Sequence, residues 1–172
     1  MHDLIQAMGI DIVNQECEDD PGRRSRLWLY DDVVDVLSRD TENCHVKAIV
    51  LALPEPREMC INPSAFAKLK WLKLLILHNV HDSFQGLRCL PNELRWFEWP
   101  GCAHQIPKFS SPQKLVGLNW SGGNITGVLK QFKDFQNLKY INFSHRESIV
   151  HMPDLSILQI SRNWIFIIAK TW

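Results

Sequence analysis

Histidine and acidic side chains are the first candidates for chemistry in this sequence. The chain has seven histidines, and their one close grouping is His78-x-x-His81-Asp82. Two histidines at a short spacing can bind zinc, but a metal site also needs further ligands that converge on the ion. None is evident from the spacing of the remaining residues. The sequence therefore predicts no metal site.

The five cysteines do not form a metal or redox motif. They are irregularly spaced, and no C-x-x-C pair occurs among them, which argues against a zinc site and a thioredoxin-like site. An odd cysteine count is typical of a protein that stays reduced. Three N-x-[ST] sequences, at Asn119, Asn124 and Asn142, would accept sugar only in a secreted protein. They keep an extracellular location open as an alternative.

Motifs for nucleophilic or phosphate chemistry are also missing from the sequence. It contains no G-x-S-x-G elbow and no G-x-x-x-x-G-K-[ST] loop. The acidic pairs Asp19-Asp20 and Asp31-Asp32 suit a turn and a helix cap better than acid–base catalysis. We therefore expect no catalytic residues, no enzyme activity and no cofactor bound by this chain alone.

The formal net charge of zero hides an asymmetry between the two ends of the chain. Residues 1–45 carry 11 acidic and 4 basic side chains, and residues 46–172 carry 8 acidic and 15 basic ones. Such a split indicates two modules with different surfaces. The lysines and arginines of the second part are dispersed along the sequence, so a solvated surface is expected rather than a nucleic-acid site. The apolar run 164–169 is too short to span a bilayer.

Four segments repeat the pattern L-x-x-L-x-L at nearly constant distance. They begin at Leu72, Leu94, Leu115 and Leu138, which are 22, 21 and 23 residues apart. This period is typical of leucine-rich repeats. A weaker copy begins at Val46 and would form the first strand of the series. An amphipathic helix explains residues 66–77 alone but not four copies at matched spacing.

Each copy has a simple physical interpretation. The first apolar residue is expected to close a turn, and the next two alternate along a short strand. One copy cannot bury its apolar side alone, whereas stacked copies form a continuous core. Prolines and glycines between the copies favour irregular loops over long helices. Asn79 lies two residues after Leu77 but Asn124 four after Trp120, so a continuous asparagine ladder is not expected.

Residues 1–45 follow a helical pattern instead. Apolar side chains recur there at spacings of three and four residues, which predicts an amphipathic helix with Asp3 as its N-cap. The apolar positions of this helix are Leu4, Ile5, Met8, Ile12 and Val13. Residues 19–22 predict a turn, and residues 24–29 a short strand or wing. Asp31 or Asp32 is then expected to cap a second helix through Val33, Val34, Val36 and Leu37.

Several of these segments resemble plant disease-resistance proteins of the class with a TIR domain. Residues 1–9 (MHDLIQAMG) resemble the segment that closes the winged helix of the nucleotide-binding module, and residues 20–28 (DPGRRSRLW) resemble the segment that follows it. Residues 90–95 (LPNELR) and 152–156 (MPDLS) are similar to phrases in the early repeats. The resemblance covers roughly residues 1–158.

The resemblance implies an α/β fold in three parts. Residues 1–45 would be the C-terminal part of the winged-helix, nucleotide-binding module, a short α-helical segment. Residues 46–160 would be an irregular leucine-rich-repeat solenoid of four to five repeats with parallel strands. Residues 161–172 would be an atypical tail, because no repeat pattern appears near residue 163, where the next strand is expected. We interpret the tail as translated intron or a truncated gene model.

The resemblance also implies a role for the two residues at the start of the chain. In the family, ADP or ATP sets the state of a molecular switch, and the histidine of the M-H-D triplet contacts the nucleotide. Only His2 matches that histidine here, with Asp3 supporting the turn, and the role would apply only in a full-length receptor. The implied location is the cytoplasm, with the nucleus as an alternative.

The implied function is non-catalytic protein–protein interaction in defence signalling. The partners would be the receptor's own nucleotide-binding module and pathogen proteins, with no nucleic acid and no membrane span. The strand surface is expected to make the contacts, through Lys73, Arg95, Trp96, Glu98, Asn119, Lys139, Tyr140 and Asn142, with Leu74, Ile76, Val116 and Gly117 also facing solvent. Trp96 and Tyr140 are the expected hot spots. Two alternatives are an extracellular leucine-rich-repeat receptor fragment and a non-functional truncated gene product.

Overall fold

A parallel sheet of seven strands runs through the described part of the chain. The computed structural model describes residues 2–39, 44–82, 89–100, 108–121, 134–142 and 165–167. The sheet strands, in chain and spatial order, are β1 (Arg26–Leu27), β2 (Ala48–Met59), β3 (Leu74–Asp82), β5 (Trp96–Glu98), β7 (Gly117–Asn119), β8 (Tyr140–Asn142) and β9 (Ile165–Ile167). Strands β4 (Cys89–Leu90) and β6 (Lys108–Phe109) pair in a separate small sheet. The predicted α/β class with parallel strands is confirmed.

The described helices are few and short. They are α1 (His2–Asn14), α2 (Tyr30–Ser38) and α3 (Ala65–Lys68), with 3-10 turns at Pro21–Arg23 and Pro112–Lys114. Where the connections between sheet strands are described, they contain no long helix, as the prolines predicted. None of the helices in these segments is long and apolar enough to cross a membrane.

The predicted repeat strands lie side by side at matched register. Leu75 pairs with Phe97, Phe97 with Leu118, and Leu118 with Ile141, and Ile49 of the weaker copy pairs with Leu75. These are the middle apolar positions of the five copies. Each side chain is at most 1% exposed, because alternate residues of a strand face the same side of the sheet. The finer prediction, a leucine-rich-repeat solenoid, stays a prediction.

The first apolar residue of a copy closes a turn before its strand, as expected. The amides of Leu72, Leu94 and Leu115 donate to the carbonyls of Leu69, Pro91 and Pro112, at 3.1, 3.4 and 3.1 Å respectively. All three leucines are buried. The turn therefore directs a leucine into the core and starts the strand at the next residues.

Aromatic rings fill the core between the main sheet and the small β4–β6 sheet. Phe97 stacks on Trp120 at a centroid distance of 5.5 Å and meets Phe109 edge-on at 5.8 Å. Phe109 in turn meets Phe135 edge-on at 5.4 Å. Such pairs stabilise a core beyond the area that they bury. They connect three successive copies of the repeat.

Helix α1 differs from its prediction in two respects. Asp3 lies inside its first turn rather than at the N-cap, because the helix already includes His2. Of its five apolar positions, only Val13 is buried. The other four, Leu4, Ile5, Met8 and Ile12, are 56–67% exposed. Their apolar face packs against nothing in the described segments.

The cap predicted for α2 is also wrong. Leu29 is its N-cap and makes no side-chain cap bond, while Asp31 and Asp32 lie in the first turn. Carboxylates there still interact favourably with the helix dipole. Asp32 has a further role, because its Oδ2 atom accepts a hydrogen bond from Nη1 of Arg24 at 2.7 Å.

The segment between α1 and α2 supports the predicted turn and the strand option. Asp20 caps the 3-10 turn by accepting from the amide of Gly22 at 3.0 Å. Leu27 of β1 then pairs with Ile49 of β2. Since β1 is the first strand of the main sheet, the sheet continues across residue 45. The domain boundary proposed there stays a prediction.

Part of the tail adds a strand that the sequence pattern did not predict. Residues 165–167 form β9, in which Phe166 pairs with Ile141. The spacing from Ile141 to Phe166 is 25 residues, within the range of the repeat period. β-Branched and aromatic residues fit a pleated surface, which explains how an I-F-I run joins the sheet without the repeat's leucines.

Candidate functional site

The outward side of strands β3, β5, β7 and β8 is the candidate site, and we call it the strand face. Two rows of side chains cross it, because paired residues of neighbouring strands point the same way. One row contains Leu74, Trp96, Gly117 and Tyr140, and the next contains Ile76, Glu98, Asn119 and Asn142. The structure therefore brings together Trp96, Glu98, Asn119, Tyr140 and Asn142 of the predicted surface.

The first row centres on an aromatic stack. The rings of Trp96 and Tyr140 have centroids 5.1 Å apart and planes 21° from parallel. Both residues pair with Gly117, which lies on the strand between them. A Cβ atom at Gly117 would come within 2.2 Å of Cε3 of Trp96. The indole therefore occupies the space above the glycine, so Gly117 is buried rather than solvent-facing as predicted.

The second row centres on the carboxylate of Glu98. Its Oε1 atom lies 2.8 Å from Nε2 of His78 and accepts from Nδ2 of Asn119 at 2.9 Å. Its Oε2 atom accepts from Nε1 of Trp96 at 3.0 Å. Glu98 thereby joins the two rows of the strand face, because the same indole stacks on Tyr140.

The hydrogen bonds also determine the acidity of Glu98. Burial alone would raise the pKa of this carboxyl, but the bonds from Trp96, His78 and Asn119 outweigh burial. The pKa therefore lies below its ordinary value of 4.5. Glu98 is an anion at neutral pH, on a face that is otherwise aromatic, apolar and polar.

Asn119 differs from its prediction as a solvent-facing residue. Only 8% of it is exposed, because its amide is turned to Glu98 and its neighbours cover it. Its Oδ1 atom is buried and has no hydrogen-bond partner within the described residues. Asn142, its pair on β8, is half-buried. Asn119 therefore positions Glu98 and offers little surface to a partner.

The three predicted cationic contacts lie beside the strand face. Lys73, Arg95 and Lys139 are exposed and stand one residue before β3, β5 and β8. They lie at the side of the sheet that is formed by the N-terminal ends of those strands. Their positions separate the basic part of the predicted surface from its aromatic part.

Only one of the two predicted nucleotide contacts has a described side chain. Asp3 is exposed in the first turn of α1, and the side chain of His2 lies outside the described residues. The role of both toward a nucleotide stays a prediction for the longer protein.

The histidine grouping is divided between different neighbours. His78 contacts Glu98 across the sheet, while His81 is exposed at the end of β3. Throughout the described segments, no three histidine, cysteine, aspartate or glutamate residues approach closely enough to hold a metal ion.

Two residues important to this geometry were not found from the sequence. The repeat pattern L-x-x-L-x-L allows any residue at the position of Gly117. Only the pairing of Gly117 with Trp96 on one side and Tyr140 on the other shows its role. Arg24 is 8% exposed and donates to the carbonyls of Cys17 and Glu18 as well as to Asp32. Its presence inside the R-R-S-R-L-W phrase was the available signal.

Comparison with known proteins finds similar sequences among plant disease resistance proteins. Disease resistance protein RPP2A of Arabidopsis thaliana is 31% identical over 160 residues, which cover 88% of this chain. Disease resistance protein RPP2B of the same plant is 29% identical over 168 residues, and disease resistance protein RUN1 of Vitis rotundifolia is 29% identical over 185. Over most of its length the chain is similar to plant disease resistance proteins. The resemblance to the class with a TIR domain is confirmed.

The match covers a small part of each resistance protein. The chain spans 14% of the length of RPP2B and of RUN1, and 12% of RPP2A. No family model matches the chain, and no solved structure matches it. These matches do not favour the extracellular and non-functional alternatives.

Proposed function

We propose that this chain is a non-catalytic, protein-binding segment of an intracellular plant immune receptor. Its strands would form an irregular leucine-rich-repeat solenoid, with residues 1–45 as the end of the nucleotide-binding module. The strand face would contact that module and restrain it in the resting receptor, and pathogen proteins would compete for the same surface. The cytoplasm, with the nucleus as an alternative, is the proposed location.

The observation that carries the proposal is the stack of Trp96 and Tyr140 beside the anion of Glu98. Two aromatic rings held together at 5.1 Å lose little further freedom on binding. Aromatic residues of this kind are enriched among the hot spots of protein interfaces. The hydrogen-bonded carboxylate next to them adds charge specificity. Both features lie on one continuous surface at the centre of the sheet.

The proposed lack of catalysis is supported by the hydrogen bonding around Ser25. This serine lines a cavity together with Glu16 and His45. Its hydroxyl donates to Oε1 of Glu16 at 2.8 Å, whereas the hydroxyl of a serine nucleophile donates to a histidine or lysine base. Nucleotide contacts of His2 and Asp3 are proposed only for the longer receptor.

Co-immunoprecipitation from leaf tissue tests the proposal. The full chain is expressed with a nucleotide-binding module from a receptor of the same class. We expect association with the wild-type chain, and at least tenfold less with the double variant Trp96→Ala, Tyr140→Ala, since such anchors contribute about 2 kcal/mol each. Lys108→Glu, an exposed change on the separate β6 strand, is the matched control. Equal recovery of the double variant and the control would contradict a role for the strand face.

A further inference from the structure

Four cations form a row that the sequence does not reveal. The amide of Lys73 donates to the carbonyl of Lys47 at 2.8 Å, and the amide of Arg95 to that of Lys73 at 2.8 Å. Val116 and Lys139 continue the same ladder, at 2.7 and 2.8 Å. These residues therefore stand directly beside one another on successive strands. We call Lys47, Lys73, Arg95 and Lys139 the basic row.

The four positive charges of the basic row are exposed and close enough to act together. All four side chains are exposed, and in the described segments none of them forms an ion pair. Neighbouring strands are ~4.8 Å apart, so the row extends over about 19 Å. Neighbouring cations of the row are one or two strands apart, and this separation is close to the Debye length of about 8 Å at physiological salt. The positive potentials of the four groups consequently overlap.

The nearest carboxylates are already engaged by other groups. Glu93 pairs with Lys114. That bond lowers the pKa of Glu93 against the effect of desolvation, and the charges of Lys73 and Arg95 lower it further. Glu16 accepts from both the amide and the hydroxyl of Ser25, at 2.5 and 2.8 Å. The charge of Lys47 also acts on Glu16, but within the described segments neither carboxylate forms an ion pair with a residue of the basic row.

A cavity continues the basic row at its β2 end. It has a volume of about 560 Å³ and is lined by Glu16, Arg23, Ser25, His45, Lys47 and Trp71. Lys47 belongs to both the row and the cavity. Trp71 is 55% exposed there and offers an apolar wall beside the cations. Cavities of this size are large enough for several side chains of a bound segment.

We propose that the basic row and this cavity bind an extended segment of a partner protein that is rich in aspartate and glutamate. The inference rests on the proposed interaction function and names a partner class for it. In an extended segment, alternate residues face one side at a spacing of about 6.6 Å. A segment with acidic residues at alternate positions places its carboxylates against the row, and a side chain at its end enters the cavity beside Trp71.

The surroundings favour a polypeptide over a nucleic acid. The chain has zero net charge, whereas domains that bind nucleic acid are strongly basic. The row is short, about 19 Å, which suits the few carboxylates of an extended peptide better than a long phosphate backbone. Trp71 in the cavity and Leu74, one residue after Lys73, suit the apolar side chains of a peptide.

Fluorescence anisotropy with the full 172-residue chain tests this inference. The probe is a labelled peptide of about twelve residues with alternating glutamate and serine, and glutamine replaces glutamate in its control. We expect the acidic peptide to bind, with affinity that falls as salt rises. Arg95→Glu is expected to weaken binding about fivefold. Lys108→Glu, the same charge reversal off the row, is expected to change it less than about twofold.

Several outcomes would overturn the inference. They are no binding of the acidic peptide by the wild-type chain, equal losses in Arg95→Glu and Lys108→Glu, or tighter binding of a single-stranded oligonucleotide of equal charge. Arg95→Gln replaces Arg95→Glu if the latter does not fold. The variant Trp96→Ala, Tyr140→Ala is expected to retain peptide binding, because its changes lie beside the row. Failure of the strand face as the module-binding surface is therefore distinguishable from failure of the basic row.

Discussion

Trp96 and Tyr140 stack at a centroid distance of 5.1 Å although a complete strand lies between them. Side chains two strands apart are about 10 Å apart at their Cα atoms, so an intervening side chain would normally separate them. Gly117 has none, and the indole of Trp96 lies across it. The stack consequently depends on a glycine that contributes no contact surface of its own.

Replacing Gly117 with alanine is expected to break the stack. The new Cβ would lie 2.2 Å from Cε3 of Trp96, so the indole must move and lose its bond to Glu98. We expect a loss of about 1–3 kcal/mol in the free energy of unfolding, measured with urea. In the Trp96→Ala background the same change should cost much less. Gly9→Ala, with nothing within 4 Å, is the control and should be neutral or stabilising. A full loss in both backgrounds would contradict the steric explanation.

Asn79 should be more tolerant of glycine than of alanine. Its φ is 57°, and its Nδ2 atom donates to the carbonyl of Leu53 at 2.6 Å. Asn79→Gly keeps the left-handed backbone and loses one hydrogen bond, a cost of about 1 kcal/mol. Asn79→Ala loses the same bond and leaves in the left-handed region a residue that tolerates it less well than glycine or asparagine, for about 1 kcal/mol more. Urea unfolding measures the loss of stability in both variants. Equal losses would mean that the backbone conformation contributes little.

The negative charge of Glu98 should stabilise the fold at neutral pH but not in acid. Its pKa is lower in the folded chain than its ordinary value of 4.5. The stabilisation is therefore fully present above that ordinary value and is lost as the pH falls through the folded pKa. At pH 7, Glu98→Gln should lower the free energy of unfolding by about 1–2 kcal/mol. That difference from wild type should shrink as the pH falls below the ordinary value of 4.5 and through the lower folded pKa.

Urea titrations from neutral to acid pH measure this difference. Glu55→Gln, at an exposed carboxylate of β2, is the control and should stay within about 0.5 kcal/mol of wild type at pH 7. A Glu98→Gln difference that did not change with pH would show that the carboxylate's charge is not what the neighbouring donors stabilise.

Arg24 should be required for stability although it lies outside the strand face. Its guanidinium bonds Asp32 and the carbonyls of Cys17 and Glu18, each at 2.7 Å. Arg24→Ala leaves these acceptors without a donor in a mostly buried place, at a cost of about 3 kcal/mol. Arg24 uses a different nitrogen for each acceptor, and the single nitrogen of lysine cannot reach all three, so Arg24→Lys should restore only part of the loss.

The adjacent Arg23 supplies the matched control for this experiment. Its ion pair with Asp20 is mostly exposed, so Arg23→Ala should cost less than about 0.5 kcal/mol. Thermal unfolding of the variants ranks the two arginines, and similar losses would contradict the role assigned to Arg24.

The sequence by itself determined the strands of the repeated pattern and the family that the chain resembles. Apolar residues at matched spacing predicted where five parallel strands lie, and their register followed, because each middle residue must face the same core. The phrases at residues 1–9 and 20–28 were sufficient to indicate plant disease resistance proteins. The sequence pattern could not find β9, because its run lacks the leucines by which the repeat is recognised.

Only the tertiary structure decided which side chains meet on the surface. Trp96, Gly117 and Tyr140 are separated by 21 and 23 residues, and Lys47, Lys73, Arg95 and Lys139 look dispersed in the sequence. Stacking of the repeats brings these residues into rows, because each repeat places its strand ~4.8 Å from the strand of the preceding repeat. The buried state of Asn119 and the exposed face of α1 likewise depend on what packs nearby, which periodicity does not specify.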